Sequence, residues 1–330
     1  MHLFLCDNIL MLSNPRVGQI TIPLEKDHFY MNDIMHCMNS LARKVTSYKY
    51  AFFQCILDNL FNVRLANDRL ELSFDYLSYS FSKIYWNLSS KHRVPQIVNG
   101  RRDCMGGEYE NLKNDPRFDV EGVDFDCLDP LARNIYLSRT KKQITINVLY
   151  ALYDDFNRTI YGYDTYRKVI FFSLDSYQFL CSYKDALEKI NFYAWIKWTE
   201  NILSLSHSSI DNLSEKLDEE PTRKALDKFK AELLSKGERP YCFYCGKAID
   251  ASHTDLDHFI PWHFIKDNQD WNFVFACHQC NSSKRDRIPQ KPFLRKIIGR
   301  NELILGNSHA DNLTRSYDSA LRNGFLLWQR

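Results

Sequence analysis

Residues 241–262 read YCFYCGKAIDASHTDLDHFIPW, with Cys242 and Cys245 in a C-x-x-C spacing and the pair Asp257 and His258 beginning twelve residues later. A C-x-x-C turn offers two thiolates from one tight knuckle, half of a tetrahedral zinc shell. Further along, Cys277 and Cys280 repeat the spacing, with 31 residues between the two knuckles. That interval is longer than a compact zinc ribbon needs, so something is inserted between them. Four thiolates complete a zinc shell and leave Asp257 and His258 for other work. His278, inside the second knuckle, then finds no vacancy and is expected at the surface. Asn281 follows the last cysteine directly. Asp257 and Asn281 are oxygen donors of the kind Mg²⁺ takes from protein, with water and phosphate filling the rest of its shell. Neighbours on a regular strand point to opposite faces. Asp257 and His258 therefore meet one atom only across a local bend, unless His258 faces a water beyond the phosphate.

The remaining six cysteines (Cys6, Cys37, Cys55, Cys104, Cys127, Cys181) are scattered singly, mostly among apolar neighbours, and read as small buried hydrophobes. A chain of 330 residues has room for one large and one smaller core. Low Gly (11) and Pro (10) counts favour helices over turn-rich β structure. No run approaches the roughly 18 apolar residues of a membrane span, and no basic segment precedes the apolar N-terminus. A cytoplasmic protein without membrane contact is expected. Net charge is only +2, yet residues 222–300 carry 15 Lys and Arg against nine Asp and Glu. Seven of those cations lie between Lys284 and Arg300, which suits either a phosphate-rich partner or a solvated helix face.

Along the chain, YKYAFFQCILDNLF spaces Phe52, Phe53, Ile56, Leu57, Leu60 and Phe61 as one helix face. SFDYLSYSFSKIYWNL does the same behind Ser73 as N-cap. Residues 91–130, with several Gly and Pro, read as loop. QITINVLYALY is ambiguous at its start and helical from Val148, and DSYQFLCSYKDALEKINFYAWIKWTENIL reads as one or two long helices. The expected division is a helical domain at 1–205, of targeting, sensing or oligomerising role, a linker at 206–221, the cysteine-bearing domain at 222–300, and a helical tail at 301–330. In TRKALDKFKAELLSK, Leu226, Phe229 and Leu233 share one side of a helix.

The pattern C-F-Y-C, D-L-D-H-F-I-P-W and W-N-F-V-F-A-C-H-Q-C-N-S-S-K-R-D resembles the HNH endonucleases in their zinc-stapled form, over about residues 240–290. The resemblance implies a ββα-metal fold, so the whole chain is expected to join a mainly α N-terminal domain to a small α+β HNH domain with a four-cysteine zinc site. It implies that His258 is the general base, that Asp257 and Asn281 hold Mg²⁺ or Mn²⁺ against the scissile phosphate, and that Asn272 bonds across the inter-strand loop to orient His258. Lys284 is similar to a family position that contacts phosphate, with Arg285 and Arg287 as further substrate contacts. The implied substrate is DNA, with RNA left open. His253 and His263 flank this core and are expected mainly as surface or packing residues, and Trp262 and Trp271 as packing residues.

Three other readings stand beside the nuclease. A non-catalytic zinc-knuckle nucleic-acid-binding module needs none of Asp257, His258, Asn272 and Asn281. A zinc deaminase lacks its H-x-E and P-C-x-x-C pairing here. A homing or mobile-element nuclease is the alternative to an antiphage or restriction effector, which the helical part loosely resembles in YKYAFFQCILDNL and LSFDYLSYSFSKIYW. One HNH core nicks one strand, so a homodimer or a partner protein bound through the N-terminal domain fits double-strand cleavage.

Overall fold

A computed structural model describes residues 3–6, 9–14, 17–22, 25–39, 46–66, 68–97, 103–205, 210–217, 223–250 and 254–329. His253 and half of the expected linker, residues 206–209 and 218–221, lie outside them. The chain is mostly helical with small sheets. It opens with β1 (Leu3–Cys6), β2 (Ile9–Asn14) and β3 (Val17–Ile22), an antiparallel meander, followed by α1 (Glu25–Asn39) and α2 (Tyr48–Asp58). Then come β4 (Arg64–Ala66), β5 (Arg69–Ser73), α3 (Phe74–Asn87), α4 (Cys104–Lys113), α5 (Pro130–Gln143) and α6 (Leu149–Asp155). β6 (Gly162–Asp164) and β7 (Val169–Phe172) lead into the 32-residue α7 (Leu174–Leu205).

The apolar face expected over residues 52–61 turns out wider than a face. Tyr50, Ala51, Phe52, Phe53, Cys55, Ile56 and Leu57 of α2 are all fully buried. A helix that is apolar all round sits at the centre of a core, with other helices covering every side. The long α7 lies against it, with Tyr50 stacked on Trp195 at 6.3 Å and Asn191 donating to the Tyr50 carbonyl at 3.0 Å. Ser73 caps α3 as expected, accepting from the Asp75 amide at 3.1 Å.

Three parts depart from the expectation of helix and loop: the β1–β3 meander, a hairpin and α4. Residues 64–73 form a hairpin inside the helical region, and β4, β5, β7 and β6 make a four-stranded antiparallel sheet in that order. Asp68 turns that hairpin at φ +59°, a conformation Asp tolerates. The stretch expected as loop contains α4 despite Gly106 and Gly107. Asp103 caps it by accepting from the Met105 and Gly106 amides, both at 3.0 Å, and burial of Met105, Tyr109 and Leu112 offsets the glycine cost. QITINVLYALY is helical throughout, passing through one wide turn at Ile144–Val148.

After α8 (Leu213–Leu217), α9 (Arg223–Ser235) precedes the first knuckle. The C-terminal third continues as β8 (Asp255–His258), α10 (Trp262–Ile265), β9 (Phe273–Ala276), α11 (His278–Lys284), β10 (Ile288–Pro289), α12 (Lys291–Leu305), α13 (Ala310–Arg322) and β11 (Leu327–Trp328). One continuous apolar core runs from Ile34 to Trp328, across both regions, and a small second cluster gathers Leu226, Phe229 and Leu233 of α9 against Phe273 and Phe275. The tail is part of this body. α12 runs through residue 300, β11 pairs in parallel with β10, and Arg315 reaches back to the Val63 carbonyl at 2.7 Å. Among the described residues no helix is long and apolar enough to cross a membrane.

Of the scattered cysteines, Cys37, Cys55 and Cys181 are buried, Cys104 is partly buried and Cys127 is exposed. The side chain of Cys6 lies outside the description.

Candidate active site

The two knuckles meet where β9 runs into α11. The first is a tight turn closed by the Cys242 amide on the Lys247 carbonyl and the Gly246 amide on the Cys242 carbonyl, both at 2.8 Å. Gly246 holds φ +73°, where a Cβ would be strained. The Phe243 amide joins this turn to β9 through the Phe275 carbonyl at 2.8 Å. Cys277 is the N-cap of α11 and Cys280 sits in its first turn. All four Sγ atoms fall within 4.8 Å of one another, with Cys245 and Cys277 at 3.9 Å. Thiolates about 2.3 Å from a tetrahedral zinc sit about 3.8 Å apart, so the donor set and its spacing fit that metal. Burial raises the Cys242 thiol, but backbone amides around it outweigh this and bring it down to about 7, toward the thiolate a metal needs.

β8 and β9 pair antiparallel with Asp257 opposite Val274 and His258 opposite Phe273, and α11 packs beside β8. Strand alternation puts Asp255 and Asp257 on one face. Asn281 and Lys284, three residues apart on α11, meet them there. Asn281 donates to Asp255 at 3.1 Å, and Lys284 Nζ contacts Asp257 Oδ1 at 3.1 Å. Asp257 is 7% exposed, and its other oxygen accepts from the Tyr244 hydroxyl at 2.5 Å. Burial raises its pKa, against the lowering pull of Lys284 and Tyr244.

His258 points to the other side of the strand, as alternation requires. Its ring packs on Phe273 at 4.6 Å and Trp262 at 5.4 Å, and Nε2 pairs with Asn268 Oδ1 at 3.0 Å. A contact with that amide oxygen suits the tautomer that carries the proton on Nε2 and leaves Nδ1 its lone pair. Burial drives the imidazole pKa down to about 4, so it is neutral at physiological pH. Regular alternation does not separate the two groups: Asp257, His258, Asn281, Lys284 and Arg285 all line one pocket of about 280 Å³.

Asn272, fully buried, spans the loop between the strands. Its Oδ1 accepts from the Ile260 amide at 2.8 Å and its Nδ2 donates to the Ile260 carbonyl at 2.9 Å. Replacing Asn272 with alanine removes both bonds and strands two buried backbone groups. The expected loss is about 2–4 kcal/mol of stability, read as a lower denaturant midpoint. An unchanged midpoint would show that water replaces the amide.

The basic stretch 284–300 divides. Lys284 is 1% exposed, with its ammonium on Asp257 and on the His258 carbonyl at 2.8 Å, so it neutralises the carboxylate from inside the protein. Lys296 donates to the Phe243 carbonyl, and Arg300 to the Phe273 carbonyl and to Glu238 at 2.6 Å. These cations brace the knuckle and β9. Arg285 remains exposed at the pocket mouth, and Arg287 turns back to the Ser283 carbonyl at 3.0 Å. His263 pairs with Asp286 at 3.4 Å on the rim, His278 is 86% exposed, and Trp271 is buried.

Spacing did not single out Tyr244, Asp255 or Asn268. Asp255 had a signal, its place two residues before Asp257 on the same strand face. Tyr244 and Asn268 had none, since only the folded chain brings them to Asp257 and His258.

Neither the curated proteins nor the solved structures contain a match to this chain. Residues 242–290 do match the family model described as HNH endonuclease. That match spans both cysteine knuckles, β8, β9 and α11, and it makes this segment a domain of the HNH endonuclease family.

Proposed function

We propose that the protein is a metal-dependent endonuclease that hydrolyses DNA phosphodiester bonds, with the four cysteines around a structural zinc. The observation that carries this reading is the convergence of His258, Asp257 and Asn281 on one pocket of a strand–strand–helix unit. Asp257 and Asn281 bring oxygen donors to that pocket, and this donor set suits Mg²⁺ or Mn²⁺. Asp257 and Asn281 would hold that ion, which when bound polarises the scissile phosphate and stabilises the leaving oxygen. His258 Nδ1 takes the proton of the attacking water, while Asn268 keeps the ring oriented from Nε2. Asp255 steadies the Asn281 amide, and Tyr244 and Lys284 hold Asp257 in place. Arg285, and Arg287 beside it, supply positive charge for the DNA backbone, which such a centre grips without reading sequence.

The deciding experiment incubates supercoiled plasmid with the protein and Mg²⁺, with and without chelator. Nicked or linear product that disappears with chelator is expected, and nicks alone would argue against a working dimer. Wild type that leaves the plasmid intact sinks the proposal. The pH profile adds a sign. Burial disfavours the imidazolium, so His258 gives up its proton well below the ordinary value near 6.5. The acid limb of kcat is therefore expected below about pH 5, and a limb centred at 6.5 would contradict a buried base.

The resemblance of the helical region to segments that precede HNH cores in bacterial defence proteins supports a role in antiphage defence or restriction. Lower phage plating on cells expressing the wild type than on cells expressing His258→Ala is the expected result.

A further inference from the structure

We infer that Lys184, on α7 of the helical region, is a positioning residue for His258. The inference rests on the nuclease reading, in which His258 is the base. Lys184 is fully buried, and its Nζ crosses to the nuclease domain, where it donates to the Phe264 carbonyl at 2.5 Å. It also lies over the Phe264 ring at 5.0 Å and pairs with Glu188 one turn further along α7. Burying an ammonium and a carboxylate together costs more desolvation than an apolar pair of the same size. Stability alone is a poor reason for such a pair to sit at this junction.

What it contacts supplies a reason. Phe264 belongs to α10, four residues long, in which only the Trp262 carbonyl is taken by the helix's own next turn, through the Lys266 amide at 2.8 Å, and the carbonyls that follow lack such a partner. An ammonium at its C-terminal end satisfies one of them and complements the local dipole. α10 stands between the two groups that set the base. Trp262, at its start, packs against the His258 ring. Beyond its end, Lys266 adopts φ +56°, and Asp267 then accepts from the Asn268 amide at 2.8 Å. Asn268 is the residue that bonds His258 Nε2. The loop from Pro261 to Asn268 is thus pinned to the strands by Asn272 at one end and to the helical region by Lys184 in its middle. Phe61 and Phe325 hold the Phe264 ring from two sides, at 5.6 and 5.3 Å, which leaves the ammonium to set the height of the carbonyl.

The test uses the full chain and a pair of readouts. Lys184→Met/Glu188→Met keeps the volume, removes both charges and is expected to fold with its zinc. Its kcat should fall about tenfold or more, with KM for DNA within about twofold, because the base is displaced while the DNA-gripping surface is untouched. Adding Asn268→Ala should cause little further loss, since both changes act through one hydrogen bond. Losses that multiply, or that fall on KM, overturn the inference.

The second readout needs neither metal nor DNA. The imidazole NMR signal of His258 should move in Lys184→Met/Glu188→Met as it does in Asn268→Ala, and a signal unchanged from wild type overturns the inference even if the plasmid assay has failed. Should the methionine pair not fold, Lys184→Gln/Glu188→Gln keeps a donor for the Phe264 carbonyl. It should hold the wild-type signal, and a shift as large as that of Asn268→Ala counts against Lys184.

Discussion

Replacing His258 with alanine is expected to lower the rate of plasmid nicking about a thousandfold, within the range set by general-base catalysis, while DNA affinity and zinc content stay at wild-type levels. The residue has three features of a working base in one place. It is neutral because burial has pushed its pKa down to about 4, it is oriented because Asn268 occupies Nε2, and it lines the pocket that Asp257 and Asn281 share. None of these features contributes to binding the DNA backbone. The ring does pack on Phe273 and Trp262, so alanine leaves a small cavity and a modest drop in melting temperature should accompany the loss. His258→Asn, which fills more of that space but cannot act as a base, separates the two effects. It should be nearly as inactive as alanine and closer to wild type in stability. Full activity in either variant would move the base elsewhere, and His263, paired with Asp286 on the pocket rim, would be the next residue to examine.

The second large effect belongs to the four-cysteine site and the zinc proposed for it. Cys277→Ser is expected to remove the metal and with it on the order of 10 kcal/mol of folding free energy, comparable to the whole stability of an ordinary domain. Cys277 stands at the N-cap of α11 without a side-chain cap bond, so it is the opening of the four-cysteine cluster that frees the helix carrying Asn281 and Lys284 from the knuckle that carries Tyr244. Asp257 then loses both of its hydrogen-bonding partners at once. The damage should spread further than a self-contained finger would allow. Cys242, Phe243 and Phe264 share one core with Leu60 and Phe61 of the helical region, and those surfaces become exposed when the knuckle opens. Limited proteolysis is the direct measurement, with early cleavage in the C-terminal third followed by loss of the helical region. A serine variant that keeps stoichiometric zinc and its wild-type melting temperature would show that three thiolates suffice.

How much of this was legible beforehand depended on the distance over which each signal acts. The four-cysteine cluster was legible because a knuckle is a local object: two cysteines three apart in a tight turn need nothing from the rest of the chain. Asp257 and Asn281 could be singled out as oxygen donors near the knuckles, whereas His258 and Asn272 were singled out through the resemblance to HNH endonucleases. The amphipathic helices were legible from period, and Ser73 from its cap. The hairpin at 64–73 was not, because its strands are only three and five residues long and sit between two strongly helical stretches. α4 was not, because its glycines outvote its cap until Tyr109 finds Trp86 at 5.2 Å.

The basic stretch 284–300 shows where spacing stops informing. Counted as charge, it reads as a surface for phosphate. Folded, Lys284, Lys296 and Arg300 turn to a carboxylate or to backbone carbonyls, and Arg285 is left facing the pocket. A long cationic side chain reports its charge in the sequence but not its partner, and the partner decides whether it binds substrate or braces the core. The same holds for Asn268 beside His258 and for Lys184, eighty residues before the carbonyl it holds. The four-cysteine cluster and the HNH motif were written locally, in residues 242–290. Orientation of His258, neutralisation of Asp257 and the union of both regions around one core were left to tertiary packing, which joins groups that no period or turn relates.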